Sequence, residues 1–186
     1  MQITAIILAG GKSKRMGTDK ALLQLDGISL LERSISLCKK LCDTIIISSN
    51  NKAHQKFGFP LVPDEFKNCG PIGGIYSCLK KSESEWNFII SVDSAFVEAD
   101  FVSYLMAAIE DVDTIVPYGS KGTEPLIALY NKKCLPAFEE KIRTGDYRMQ
   151  NLITSLNTKK IDAQSWIEKH PDLFRNLNRP EDISNF

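Results

Sequence analysis

ITAIILAGGKSKRMGTDK, residues 3–20, changes character once, at Gly10-Gly11, and that change decides the fold. Up to Ala9 the run is β-branched and almost continuously apolar, which is what a strand covered on both faces requires. After the glycines it turns polar and basic. Apolar residues then return at helical spacing, Ile28, Leu31, Ile35, Cys38 and Cys42, and a second strand-like run follows at 44–48. Strand, helix and strand in this order make a βαβ unit, with a glycine turn where the first strand ends.

The alternation continues outward from this unit. An extended piece at 60–63 precedes a helix that Gly70-Pro71 opens and that runs to about Lys81. A strand at 86–92, a helix over about 100–110, strands at 113–116 and 125–130 and a helix over 135–143 follow, and the pattern is less regular beyond Leu156. The fold class is therefore α/β: a single Rossmann-like three-layer domain over residues 1–186, with a mostly parallel central sheet and helices on both faces. Its strand order is left open. The length of 186 residues, 43% hydrophobic and 25% charged, suits one such domain, which buries roughly 70% of its unfolded surface without disulfide or metal staples.

Lys plus Arg and Asp plus Glu both number 23, and this balance removes the electrostatic case for bulk nucleic-acid or membrane-surface binding. No apolar run is long enough to span a bilayer, and no basic segment leads into a long apolar one as in a signal peptide, so a cytoplasmic location is expected. The five cysteines are odd in number and lack C-x-x-C spacing, which predicts reduced thiols, with Cys38 and Cys42 as small hydrophobes on one helix.

In open α/β sheets ligands sit outside the carboxyl ends of the strands, so the loops after strands carry the chemistry. In the first, Gly10 and Gly11 let backbone N–H groups approach a ligand, and Lys12, Lys14, Arg15 and Lys20 concentrate cations that suit a nucleoside triphosphate. It is not a P-loop, because Ile6 stands where that motif needs its first glycine, and the dinucleotide fingerprint G-x-G-x-x-G is missing. Asp93 follows the run 86–92 and stands where an oxygen ligand for Mg²⁺ would be useful. Between Asp64 and Gly74 an acid, a turn and a glycine-rich helix start occur together, and Gly73-Gly74 inside the helix implies close approach by a ligand or another element. His54 and His170 have no partners at metal-site spacing and read as surface residues, which disfavours histidine-dependent triads.

The pattern L-A-G-G-x-x-x-R-M-G-x-D-K-A-L-L at 8–23 resembles the nucleotide-binding signature of nucleotidyltransferases, most closely the molybdenum cofactor guanylyltransferases. S-S-N at 48–50, D-x-x-x-x-x-G-P-I-G-G at 64–74 and N-x-N-R-P-E-D at 176–182 fall in that family's order. The resemblance implies a nucleotide-diphospho-sugar transferase-like fold that joins GMP from GTP to the terminal phosphate of molybdenum-molybdopterin, with Mg²⁺ as cofactor and pyrophosphate released. By motif position it implies that Leu8, Ala9, Gly10 and Gly11 hold guanine and phosphates, with Arg15 and Lys20 on the phosphates. Asn50 and Asp64 would contact the nucleoside, and Asp93 would bind Mg²⁺ and nucleotide, leaving Arg15, Lys20 and Asp93 as the catalytic set. Gly70, Gly74, Asn176 and Asn178 would shape the molybdopterin side. A molybdenum-insertion or molybdoenzyme maturation protein is the partner the family implies.

An already ionised phosphate nucleophile needs no general base, so the scarcity of histidine is no obstacle. The chain departs from the family at Val92-Asp93-Ser94-Ala95, which lacks the usual Pro two residues after the Asp and the Cys before it. Loss of that ring predicts a looser metal loop or a changed acceptor. Two alternatives keep or lose the chemistry: a cytidylyltransferase or sugar-phosphate nucleotidyltransferase of the same fold, and a non-catalytic nucleotide-binding domain. Asp19-Lys20 favours the molybdopterin branch, since sugar-phosphate enzymes more often carry Pro before the signature Lys.

Overall fold

The computed structural model describes residues 1–10, 19–177 and 182. Strand β1 (Ile3–Leu8) is buried along its whole length, as its almost continuous apolar run demands. The next strands among the described residues form a small hairpin, β2 (Gln24–Leu25) and β3 (Ile28–Ser29), whose turn residues Asp26 and Gly27 lie at φ 53° and 76°. Two successive left-handed residues are what a two-residue type I′ turn needs, and the Asp-Gly pair supplies them. Helical spacing predicts a helix from Ile28, but the hairpin takes that residue. Helix α1 (Leu30–Cys38) starts two residues later, where Ser29 accepts the Glu32 N–H (3.2 Å) and the Glu32 carboxylate accepts the Ser29 N–H (3.0 Å), a reciprocal cap.

Strand β4 (Thr44–Ser48) pairs in parallel with β1, and β5 (Leu61–Val62) extends the sheet beyond it. Helix α2 (Gly70–Lys81) begins with Pro in its first turn, as expected, and returns the chain to β6 (Trp86–Ser91), parallel to β1 on its other side. The connection therefore reverses direction across β1, and such a reversal opens a crevice at the carboxyl ends of the strands. Helix α3 (Ala99–Met106) leads to β7 (Thr114–Gly119), which turns into the short β8 (Gly122–Thr123) before β9 (Ile127–Asn131) inserts antiparallel between β6 and β7. Helices α4 (Leu135–Thr144) and α5 (Met149–Thr154), strand β10 (Thr158–Asp162) and helix α6 (Gln164–Lys169) complete the described elements.

The sheet order is β10-β7-β9-β6-β1-β4-β5, with β8 on β7. Alternation along β1 sends Ile3, Ala5 and Ile7 to one face, with Leu31 and Ile35 of α1 and Phe101 and Leu105 of α3. Ile6 and Leu8 face the other way, onto Ile72, Ile75 and Leu79 of α2, Phe138 of α4 and Leu152 of α5. These are the three layers of the expected α/β architecture. The less regular tail holds an element that its composition conceals: Thr-Lys-Lys-Ile-Asp is a parallel edge strand on β7, half solvated, with lysines that discourage pairing with another chain.

All five cysteines are free, four of them buried, and burial pushes the thiols of Cys42, Cys78 and Cys134 up to about 12. Such thiols are inert rather than nucleophilic. No helix among the described residues is long and apolar enough to cross a membrane.

Candidate active site at the carboxyl edge of the sheet

Hydrogen bonds continue past the strand ends and fix where the loops leave. Ala9 N–H donates to Ser48 O (3.0 Å), Val92 N–H to Leu8 O (3.2 Å) and Ser49 N–H to Val62 O (3.0 Å). Leu8 and Ala9 are buried at the head of β1, and Gly10 emerges into solvent between the β4 and β6 loops. Two clusters form around it.

On the β6 side, Lys20 begins a single 3-10 turn (Lys20–Leu22) capped by Asp19, whose Oδ1 accepts the Ala21 N–H at 3.0 Å. Its Nζ reaches Oδ2 of Asp93 at 2.8 Å, and the two side chains are only 18% and 21% exposed. Asp93 sits in a turn closed by Ser94 N–H to Ser91 O (3.0 Å). Its carbonyl accepts the Leu177 N–H (3.1 Å), while the buried Ser94 hydroxyl lies 3.5 Å from Oδ1 of Asn176. The turn and the tail thus contact the Asp93 loop, in which Ala95 stands where the family has its proline.

On the β4 and β5 side, Oδ1 of Asn50 accepts the Asp64 N–H at 3.1 Å. Burial holds the Asp64 carboxyl above the usual carboxylate range, opposed by a hydrogen bond from Asn50. A Cβ on Gly74 would stand 2.6 Å from Ser48 Oγ and 3.4 Å from Asp64 Oδ1, and one on Gly73 would stand 2.9 Å from Phe66 O. The close approach inferred for this pair is therefore made by β4 and the 64–69 loop pressing on α2. Gly70, at φ 58°, starts that helix with open space around it.

Asp64 yields a prediction with a defined sign. A carboxyl whose folded pKa is raised binds its proton more readily folded than unfolded, so its ionisation costs stability as pH rises through the raised value. Asp64→Asn should raise the melting temperature at pH 7 by about 1–3 °C, a small figure because the group is half solvated. The gap should close below about pH 4, where both forms are neutral. Thermal melts of both proteins across pH check this, and a variant that melts lower at pH 7 contradicts it.

The structure thus brings Leu8, Ala9, Gly10, Lys20, Asn50, Asp64, Gly74, Asp93 and Asn176 to one edge of the sheet. Gly11, Arg15 and Asn178 lie outside the described residues. Two further side chains belong here. Glu124 lies two residues before Leu126, whose carbonyl accepts the Ser91 N–H (3.1 Å), and Asp93 lies two residues beyond Ser91. Burial raises the Glu124 carboxyl above its usual range, Lys121 opposes the shift and the charge of Asp93 adds to it. A parallel strand at 127–131 would begin at the opposite edge of the sheet, so only its antiparallel insertion places Glu124 beside Asp93. Beyond Glu124 a cavity of about 410 Å³ opens between the β7–β8 turn and residues 171–176, with Lys121, Arg175 and Asn176 in its lining.

The other is His54, expected at the surface. It is fully buried, because the 3-10 helix Lys52–Phe57 turns it inward onto Asp19, with Nε2 2.9 Å from Oδ2. His170 is part-exposed and pairs with Glu98 at 2.8 Å. Among the described residues no group of three or more His, Cys, Asp or Glu is arranged to hold a metal. Asp93 with Glu124 nearby matches what Mg²⁺ takes, one or two carboxylates with the remaining positions left to water and substrate phosphates.

An α/β sheet reversing at β1, with a lysine–aspartate pair and an Asn–Asp pair flanking its crevice, has the arrangement at which proteins of this architecture bind nucleotides. Comparison with known proteins narrows this. The sequence profile of the MobA-like NTP transferase domain matches residues 5–161, and the chain belongs to that family. It is 34% identical to the molybdenum cofactor guanylyltransferase of Vibrio parahaemolyticus over 190 aligned positions, covering 100% of this chain and 95% of the relative. The crystal structure of molybdopterin-guanine dinucleotide biosynthesis protein A from Archaeoglobus fulgidus superposes with a TM-score of 0.82 at 21% identity, over 98% of this chain and 95% of that one. The 2-C-methyl-D-erythritol 4-phosphate cytidylyltransferase of Thermus thermophilus gives 0.74 at 15% identity, over 100% and 97%, and shares the fold. The chain is an enzyme of nucleotidyl transfer.

Proposed function

We propose that this enzyme transfers GMP from GTP to the terminal phosphate of molybdenum-molybdopterin, forming the guanine dinucleotide cofactor and releasing pyrophosphate. The observation that carries the reading is the Lys20–Asp93 pair at the strand ends, with Asn50 and Asp64 across the crevice. Full-length similarity to guanylyltransferases supports guanine over cytosine, whereas the cytidylyltransferase shares only the architecture.

In this reading Gly10 leaves backbone room for the triphosphate, since among the described residues even an added Cβ would meet nothing nearer than Ser48 O at 3.5 Å. Asn50 and Asp64 hold the nucleoside. A terminal phosphate oxygen of the acceptor attacks the α-phosphorus of GTP, the bond to the β-phosphate bridge breaks, and pyrophosphate carries away the electron pair. The nucleophile is already ionised, so the protein's work is alignment and charge stabilisation. Lys20, with Arg15 from the signature, neutralises charge that builds on the departing phosphates. Asp93, with Glu124 beside it, would hold Mg²⁺, which when bound supplies charge neutralisation across the phosphates. Asn176, with Asn178 from the signature and with Gly70 and Gly74, serves the acceptor, and the cavity beyond Glu124 lies on the Asn176 side. We read residues 1–186 as one transferase domain working in the cytoplasm, handing its product to a molybdenum-insertion or molybdoenzyme maturation protein.

Pyrophosphate release from GTP, CTP, ATP and UTP, each with Mg²⁺ and molybdenum-loaded molybdopterin, tests the reading. GTP is expected to turn over at least about tenfold faster than the others. Preference for CTP would make the enzyme a cytidylyltransferase, and GTP binding without release would make it a non-catalytic nucleotide-binding domain.

A further inference from the structure

His54 makes a poor packing residue. Its ring is fully buried, yet among the described residues only Nε2 has a hydrogen-bond partner, Oδ2 of Asp19 at 2.9 Å, and Nδ1 has none. A buried polar atom without a partner costs free energy that an apolar ring of similar size would not. A carboxylate only accepts, so in this contact Nε2 carries the N–H and donates it to Asp19. The imidazole is therefore spent on one carboxylate.

That carboxylate is held from three directions. Oδ1 of Asp19 accepts the Ala21 N–H, and Oδ2 accepts from His54 and from the Asn51 amide. The Asn51 amide is itself oriented, because its Oδ1 accepts the Ala53 N–H at 3.0 Å and leaves Nδ2 for Asp19. The segment after β4 thus clamps the residue immediately before Lys20, whose Nζ then spans to Asp93 at 2.8 Å. We infer that His54 is a positioning residue: acting through Asp19, it sets the backbone from which Lys20 reaches the nucleotide phosphates. The inference rests on the GTP-binding reading of the site and assigns a role to a histidine outside the signature segments.

The test is GTP titration with Mg²⁺ of the full chain, for His54→Phe and His54→Gln, each in the wild-type and in a Lys20→Met background. His54→Phe should raise the Kd for GTP about tenfold, and His54→Gln, whose amide N–H can occupy the place of Nε2, should return it to within about twofold of wild type. With Met at position 20 the same His54→Phe change should alter Kd by less than about twofold, since residues acting as a unit are not additive. An equal loss in both backgrounds, or none in the wild-type background, overturns the inference. Should the Phe variant not fold, Asp19→Ala, which leaves the ring in place, must show the same loss and the same dependence on Lys20, or the inference fails. A wild-type chain that binds no GTP overturns the functional reading first and this role with it, whereas binding by the wild type without an effect at position 54 overturns the role alone.

Discussion

Asp93→Asn is expected to lower the rate of GTP-dependent pyrophosphate release by about 10²–10³-fold, the usual consequence of removing one charge-stabilising group from a preorganised site. The substitution keeps the shape of the side chain, and the backbone contact from Leu177 N–H to the Asp93 carbonyl does not involve the carboxylate, so the turn should persist. What is lost is the charge that faces Lys20 and, in the proposed reading, a carboxylate for the divalent cation. The variant should therefore melt close to wild type, and Mg²⁺ should no longer tighten its binding of GTP. Steady-state kinetics with and without added Mg²⁺, alongside a thermal melt, give the comparison. Activity within about tenfold of wild type would remove Asp93 from the centre of the chemistry.

Gly73→Ala should destabilise the protein by about 1–2 kcal/mol and lower the melting temperature by roughly 3–6 °C. Helix propensity alone gives the opposite sign, since alanine is favoured over glycine inside a helix by about 1 kcal/mol. The difference comes from the Phe66 carbonyl, 2.9 Å from where the new methyl would stand, and from Cys69 Cβ at 3.1 Å. A backbone oxygen cannot rotate aside as a side chain can. Relief must come from moving the 64–69 loop, which also displaces Asp64, so weaker nucleotide binding should accompany the lower melting point. A stabilised variant would show that the loop gives way freely.

The parts of the fold legible in the sequence are those buried on both faces. Ile3–Leu8 and Trp86–Ser91 read as strands because each carries a run of large apolar residues, Ile6 to Leu8 and Phe88 to Ile90, and Gly70-Pro71 announces the helix it begins. The site was legible for a related reason. Gly10, Asn50, Asp64 and Asp93 each stand just after a strand, so the rule that α/β ligands gather at carboxyl ends points to all four before any coordinates are known. Strand β10 escaped notice because an edge strand needs hydrogen bonds from one side only and can afford a polar sequence. Glu124 could not be placed without knowing that β9 runs antiparallel, a fact no local pattern carries. His54 reads as polar and exposed from its neighbours Lys52 and Gln55, and its burial follows from a long-range contact with Asp19. The contacts of the Asp93 loop were not legible either, because the Leu177 N–H that reaches the Asp93 carbonyl comes from a residue remote in the chain.

That remoteness has a temporal side. Ser94 and Asn176 are separated by 82 positions, and the strand that carries Asp93 is complete long before residues 171–177 leave the ribosome. During synthesis the central strands can assemble while the loop at Asp93 still lacks the backbone donor and the amide that steady it. If Asp93 acts as proposed, catalytic competence arrives last, after the central strands, and a nascent or C-terminally trimmed chain would possess the scaffold of the enzyme without a finished centre.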